Sequence, residues 1–89
     1  MKTPTLFVLM AEHEAKTTLT VEEVGERYWG MTRRHARSLA TEGRFPVPCF
    51  RMDDSRKSPW VVLLTDLGHY LDTRRDKAVQ EQNKLDAPP

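Results

Sequence analysis

A small α+β domain, in which two short helices meet at a glycine corner and an antiparallel hairpin follows, is the fold that the sequence predicts. Three observations lead to it. Residues 30–43, GMTRRHARSLATEG, read as a short helix with both ends marked. The residues before it form a second capped helix, so that Gly30 sits in a tight turn between the two. After Gly43 the apolar spacing changes from helical to alternating, and FPVPCFRM and WVVLL flank the polar turn DDSRKSP.

Taken in order, Thr3-Pro4 suggests an N-cap followed by proline at the first helical position. The stretch TLFVLMAEHEA is compatible with a helix or a buried strand. Its Met, Leu, Ala and Glu content favours a helix over residues 4–14 that lays Leu6, Phe7, Leu9 and Met10 on the core, with His13 at the surface. Thr17-Thr18-Leu19 reads as a connector or a short strand. Thr20-Val21-Glu22-Glu23 matches a capping box, in which Thr20 accepts from the third amide and Glu23 reaches back. Val21, Val24 and Tyr28 then repeat on one face. Gly25 lowers helix propensity by about 1 kcal/mol against alanine, a cost that suggests close approach of another helix. Trp29 is expected to pack at the end of this element.

The next helix, 32–42, starts at Thr32, whose hydroxyl can cap the first turn, and stops at the left-handed Gly43. Ala36, Leu39 and Ala40 form a narrow apolar stripe, with His35 packing at its border. Arg34, Arg37, Ser38 and Thr41 fall at i, i+3, i+4 and i+7 on the opposite face, with Arg33 beside them. All can donate hydrogen bonds, which suits phosphates and guanine edges. A solvated helix face has a similar composition. What separates the two readings is position, because here the second helix of the pair carries the basic stripe. That is how a helix-turn-helix places its recognition helix in the major groove.

The two prolines of FPVPCFRM forbid a helix and fit an edge strand. The expected hairpin pairs 47–52 with 60–64 and carries Arg56 and Lys57 near its tip, as a wing that reaches the DNA backbone. Arg51 is a further candidate contact, facing either the DNA or the acidic turn. Cys49 is expected to fill apolar space. A last helix begins at Thr65 or Asp66 and turns Leu67, Tyr70, Leu71 and Ala78 inward. Leu71, Ala78 and Leu85 lie seven apart, which hints at a helix contact between subunits. The domain is expected over residues 1–80, with 81–89 as a flexible tail.

Charge is distributed in support of this reading. The net charge of the 89 residues is +1, but residues 33–57 carry a net +4 between segments of −2 and −1. One cysteine permits no internal disulfide and fits a reducing cytoplasm. The start MKTPTLFVLM lacks a cleavage pattern, and no apolar run approaches the roughly 20 residues needed to span a bilayer. There is no glycine-rich phosphate loop, HExxH or cysteine pair, and the three histidines fall on three elements. Neither an enzyme, a cofactor nor a metal is expected.

The segments TLFVLMAEHE, LTVEEVGERYWG-MT and RFPVPCFRMDDSRKSPWVVLLTDLGHYLDTRR together resemble the pyocin activator protein (PrtN) family of phage-type transcription activators, over about residues 5–76. The most specific piece is PVPCFRMDDSRKSPW. A shorter resemblance is to AlpA-like and excisionase-type phage regulators, carried by Gly43, Phe45-Pro46-Val47-Pro48, Arg51 and Trp60. Both imply a winged helix-turn-helix of the excisionase and MerR-like type. The resulting expectation is a cytoplasmic, nucleoid-associated activator of phage-tail bacteriocin or prophage genes that binds double-stranded DNA, with RNA polymerase as a candidate further partner. Because one helix and one wing cover only about half a standard site, oligomerisation on DNA is also expected. Two alternatives stay open: an architectural excisionase that bends DNA, and an adaptor acting on RNA polymerase in antitermination. The candidate DNA contacts are Arg33, Arg34, Arg37, Ser38, Thr41, Arg51, Arg56 and Lys57.

Overall fold

Four helices and a three-stranded antiparallel sheet make up the computed structural model, which describes residues 3–86 and the side chains of residues 5–84. The elements are α1 (Thr3–Glu12), β1 (Thr18–Thr20), α2 (Val21–Trp29), α3 (Arg33–Thr41), β2 (Phe50–Arg51), β3 (Trp60–Leu63) and α4 (Leu64–Asp86). This is the architecture of a winged helix-turn-helix domain.

The α2–α3 corner follows from local chemistry. Thr20 caps α2 by accepting from the Glu23 amide at 3.2 Å, and Thr32 caps α3 by accepting from the His35 amide at 3.1 Å. The capping box is modified: the Glu23 carboxylate accepts from the Thr20 hydroxyl at 3.1 Å rather than from its backbone. Gly30 ends α2 at φ 65°, a conformation that costs a side-chain-bearing residue steric energy. Past α3, the Gly43 amide donates to the Ala40 carbonyl and the Arg44 amide to the Leu39 carbonyl, the two bonds of a Schellman closure. Between the helices, a Cβ built on Gly25 would lie 2.9 Å from the Ala36 Cβ, so Gly25 lets α2 and α3 approach as the sequence suggested.

The core collects Leu9, Leu19, Val21, Val24, Ala36, Ala40, Val47, Val62, Leu64 and Leu67. Trp29 packs edge-on to Phe45 with ring centroids 6.0 Å apart and tilted against Tyr70 at 5.4 Å, which joins α2, the segment after α3 and α4. Outside α1, the inward positions expected from the sequence are largely those found. His35 differs, being exposed on α3.

Helix α1 departs most from expectation. It ends at Glu12, because the chain turns left-handed at Glu14 (φ 59°) and Ala15 (φ 60°) without a glycine to announce it. Leu9 is buried and Met10 packs on the core, but Phe7 remains 62% exposed. Thr5 faces α4, where its hydroxyl donates to the buried Asp72 carboxylate at 2.6 Å. His13 is half-buried and shares a 2.8 Å hydrogen bond with the Tyr28 hydroxyl, and Arg27 pairs with Glu12. The cap expected at Thr3 falls outside the described side chains.

The sheet order is β1-β3-β2, so β3 is central. Leu19 faces Val62 and Thr20 faces Val61 on one side; Phe50 faces Val61 and Arg51 faces Trp60 on the other. The hairpin is therefore shorter than the expected 47–52 and 60–64. Pro46 and Pro48 have no amide to donate, and pairing begins only at Phe50. What read as a connector or short strand is β1, pairing with the second edge of β3.

Helix α4 begins at Leu64, a residue before the expected start, and runs through Asp86. The segment expected as a tail from residue 81 is thus helical to Asp86, and residues 87–89 lie outside the described residues. From Thr73 to Lys84 only Asp76 and Val79 are even half-buried, and the molecule measures 57 Å along its longest axis. Ala78 is exposed rather than turned onto the core, and the side chain of Leu85 lies outside those described.

Candidate nucleic-acid interface

The outer face of α3 and the β2–β3 hairpin meet along one side of the molecule. Because Ala36 and Ala40 seat α3 on the core, the residues of its opposite face point outward. Arg34, Arg37, Ser38 and Thr41 are all exposed and line one shallow groove, together with Glu42. Arg33 is exposed at the start of the helix and lies 3.5 Å from Glu26.

A second cleft, of about 410 Å³, lies between α3 and the hairpin. Arg37 and Thr41 form its helical wall; Arg51, Arg56, Lys57 and Trp60 form the hairpin wall. Arg37 and Thr41 border both depressions, so the stripe and the hairpin cations make one continuous surface. All the candidate residues except Arg33 are brought together in this way, and Arg33 flanks them.

Arg51 has a defined position. Its guanidinium lies over the Trp60 ring, 5.2 Å from the centroid, and donates to the Ser55 carbonyl at 3.4 Å. Among the two directions the sequence left open, Arg51 reaches back to the turn through that carbonyl while also bordering the cleft. Asp53 is engaged within the turn, accepting from the Ser55 amide at 2.8 Å. That turn sets the direction of the tip that carries Arg56 and Lys57.

Four residues of the cleft, Glu22, Ser58, Pro59 and Trp60, were not among the candidate contacts. Trp60 could have been found from the hairpin, since the register places it directly across from Arg51. Glu22 has no such signal. It belongs to the first turn of α2, and its carboxylate lies 3.5 Å from Arg37 only because of how α2 and α3 cross. The cleft thus holds four cations and this one carboxylate.

Chemically, the surface offers guanidinium forks, an ammonium and three hydroxyls, groups that can hold phosphates or read base edges. Cys49 takes no visible part: it is half-buried, and burial pushes its thiol up from the usual range. Among the described residues, no three His, Cys, Asp or Glu side chains converge as a metal site would require, and no helix is long and apolar enough to cross a membrane.

Residues 5–78 match the family model described as pyocin activator protein PrtN, which spans most of the chain. No curated protein and no solved structure matches it.

Proposed function

The chain belongs to the pyocin activator protein PrtN family, and from this premise we propose that it is a sequence-specific double-stranded-DNA-binding activator of phage-tail bacteriocin or prophage genes. The observation that carries the proposal is the continuous surface in which Arg37 and Thr41 join the α3 stripe to the cations of the hairpin. Helix α3 enters the major groove, where Arg34, Arg37, Ser38 and Thr41 meet base edges and Arg33 meets the flanking phosphate. The hairpin is the wing, and Arg56 and Lys57 hold backbone beyond the groove. The protein acts by binding, without catalysis, on the bacterial nucleoid. Selection of duplexes from a random pool by the purified protein tests this directly: a shared sequence is expected among the survivors, and an unenriched pool defeats the reading.

The wing makes its own prediction. Arg56→Ala combined with Lys57→Ala is expected to weaken selected and random duplexes alike. The dependence of log affinity on log salt should become shallower by about 0.9 for each phosphate that the hairpin no longer neutralises. An unchanged slope in a salt titration places the hairpin tip off the DNA.

One helix and one wing cover a single half-site and bury little surface, so useful specificity calls for more than one copy. The exposed distal part of α4, including Ala78, is a surface through which copies can meet. Gel-shift titration is expected to show cooperative binding to two adjacent half-sites, about one helical turn apart for a symmetric dimer. Truncation after Asp76 should reduce that cooperativity more than it reduces folding. Equal affinity for one and two half-sites, with a Hill slope near one, rules the multimer out.

A further inference from the structure

Glu22 stands where a DNA-binding surface has least use for it, within a cleft whose other charged residues are all cations. It is not a loose surface group. Its side chain is 17% exposed, whereas that of its partner Arg37 is 54% exposed, and the two lie 3.5 Å apart. The Arg33–Glu26 pair provides the contrast: it has the same 3.5 Å separation, but its side chains are 56% and 61% exposed. Such open pairs gain little, because two long side chains must be held in one geometry in water. Glu22, already packed at the start of α2, has lost most of that freedom on folding.

We propose that Glu22 is a positioning residue that holds Arg37 for a base edge and suppresses its use as a phosphate contact, thereby setting sequence discrimination. This rests on the DNA-binding reading above. A guanidinium has five donors arranged as a planar fork. A carboxylate engaging one edge restricts its rotation and leaves other donors for a bidentate partner such as guanine O6 and N7. The same carboxylate cancels much of the charge of Arg37 and repels an approaching phosphate. A neutralised arginine adds little to the counterion release that drives non-specific binding. It recovers attraction only where an acceptor pair fits the geometry in which it is held.

The experiment measures salt-titrated binding of the full chain to selected and random duplexes. The chains compared are the unsubstituted protein and its Glu22→Gln, Glu22→Asp and Glu26→Gln variants, each with a thermal melt. Glu22→Gln is expected to tighten binding to random DNA, with a salt slope steeper by about 0.9. Binding to the selected duplex should gain much less, so that the ratio of the two affinities falls about tenfold, within the range that one bidentate base contact supplies. Glu22→Asp keeps the charge but withdraws it by a methylene; it should lower the ratio with little change of slope on random DNA. Glu26→Gln removes the same charge outside the cleft and should leave the ratio intact. If Glu22→Gln moves both duplexes by one common factor, as Glu26→Gln does, the proposal is overturned. A role confined to the N-terminal dipole of α2 would lower the melting midpoint and leave ratio and slope unmoved, which also overturns it. If the unsubstituted chain does not distinguish the two duplexes, the DNA-reading function itself falls, an outcome separate from a failure at Glu22.

Discussion

Arg37→Ala is expected to weaken binding to the selected duplex by about 1–3 kcal/mol and to relax preference at one base position, while random DNA is affected less. The position justifies singling this arginine out. Arg37 borders both the α3 groove and the cleft below the hairpin, so it faces whatever lies between the two. Arg33 and Arg44, by contrast, flank the helix and pair with the exposed Glu26 and Glu42. Competition binding against a panel of single-base variants checks the prediction. Equal weakening on every sequence would make Arg37 a phosphate contact. The substitution also leaves Glu22 without its partner, so a double-mutant cycle with Glu22→Gln should be strongly non-additive, as expected of residues in contact.

The largest expected effect on stability is at Gly25. A leucine there should cost about 3 kcal/mol, the upper end of what overpacking a core usually costs, and lower the melting midpoint by roughly 12–24 °C for a domain of this size. A Cβ at this position would lie 2.9 Å from the Cβ of Ala36 and equally close to two atoms of Met31. Met31 can swing its side chain aside, but the Ala36 Cβ is fixed to the backbone of α3, and only separation of the helices relieves the contact. Gly25→Ala should therefore also destabilise, although alanine gains about 1 kcal/mol of helix propensity. Thermal unfolding followed by circular dichroism reads both variants; a raised midpoint for Gly25→Ala would show that the helices do not need this closeness.

What was legible in the sequence was chemistry that acts over a few residues. Thr20 and Thr32 as caps, Gly30 as the turn, Gly43 as the stop, and the opposed stripes of α3 all depend on neighbours within about two turns. The membership of the candidate surface was legible for the same reason, since helical spacing and a hairpin tip carry most of it. The misplaced features depend on distant partners. Phe7 and Leu9 are equally good core residues by composition, and it is the Thr5–Asp72 bond, joining opposite ends of the chain, that accompanies burial of one and exposure of the other. The end of α1 was missed because Glu14 and Ala15 take a backbone conformation their side chains do not advertise. Glu22 was missed because a capping motif explains an acidic first turn without reference to any other helix.

The central place of β3 bears on the order in which the protein can assemble. Thr20, paired with Val61, is both the last residue of β1 and the cap of α2. The two helices of the corner are close in sequence and can meet early, whereas the strand that seats them begins only at Trp60, well after α3 ends at Thr41. A growing chain that has not yet emerged past Leu63 therefore holds α3 with no sheet to orient it, and both flanking strands wait on the same four residues, Trp60–Leu63. Contacts of such long sequence separation slow folding. They also make the hairpin a late product of folding, which depends on Trp60–Leu63 and not on the helices that precede it.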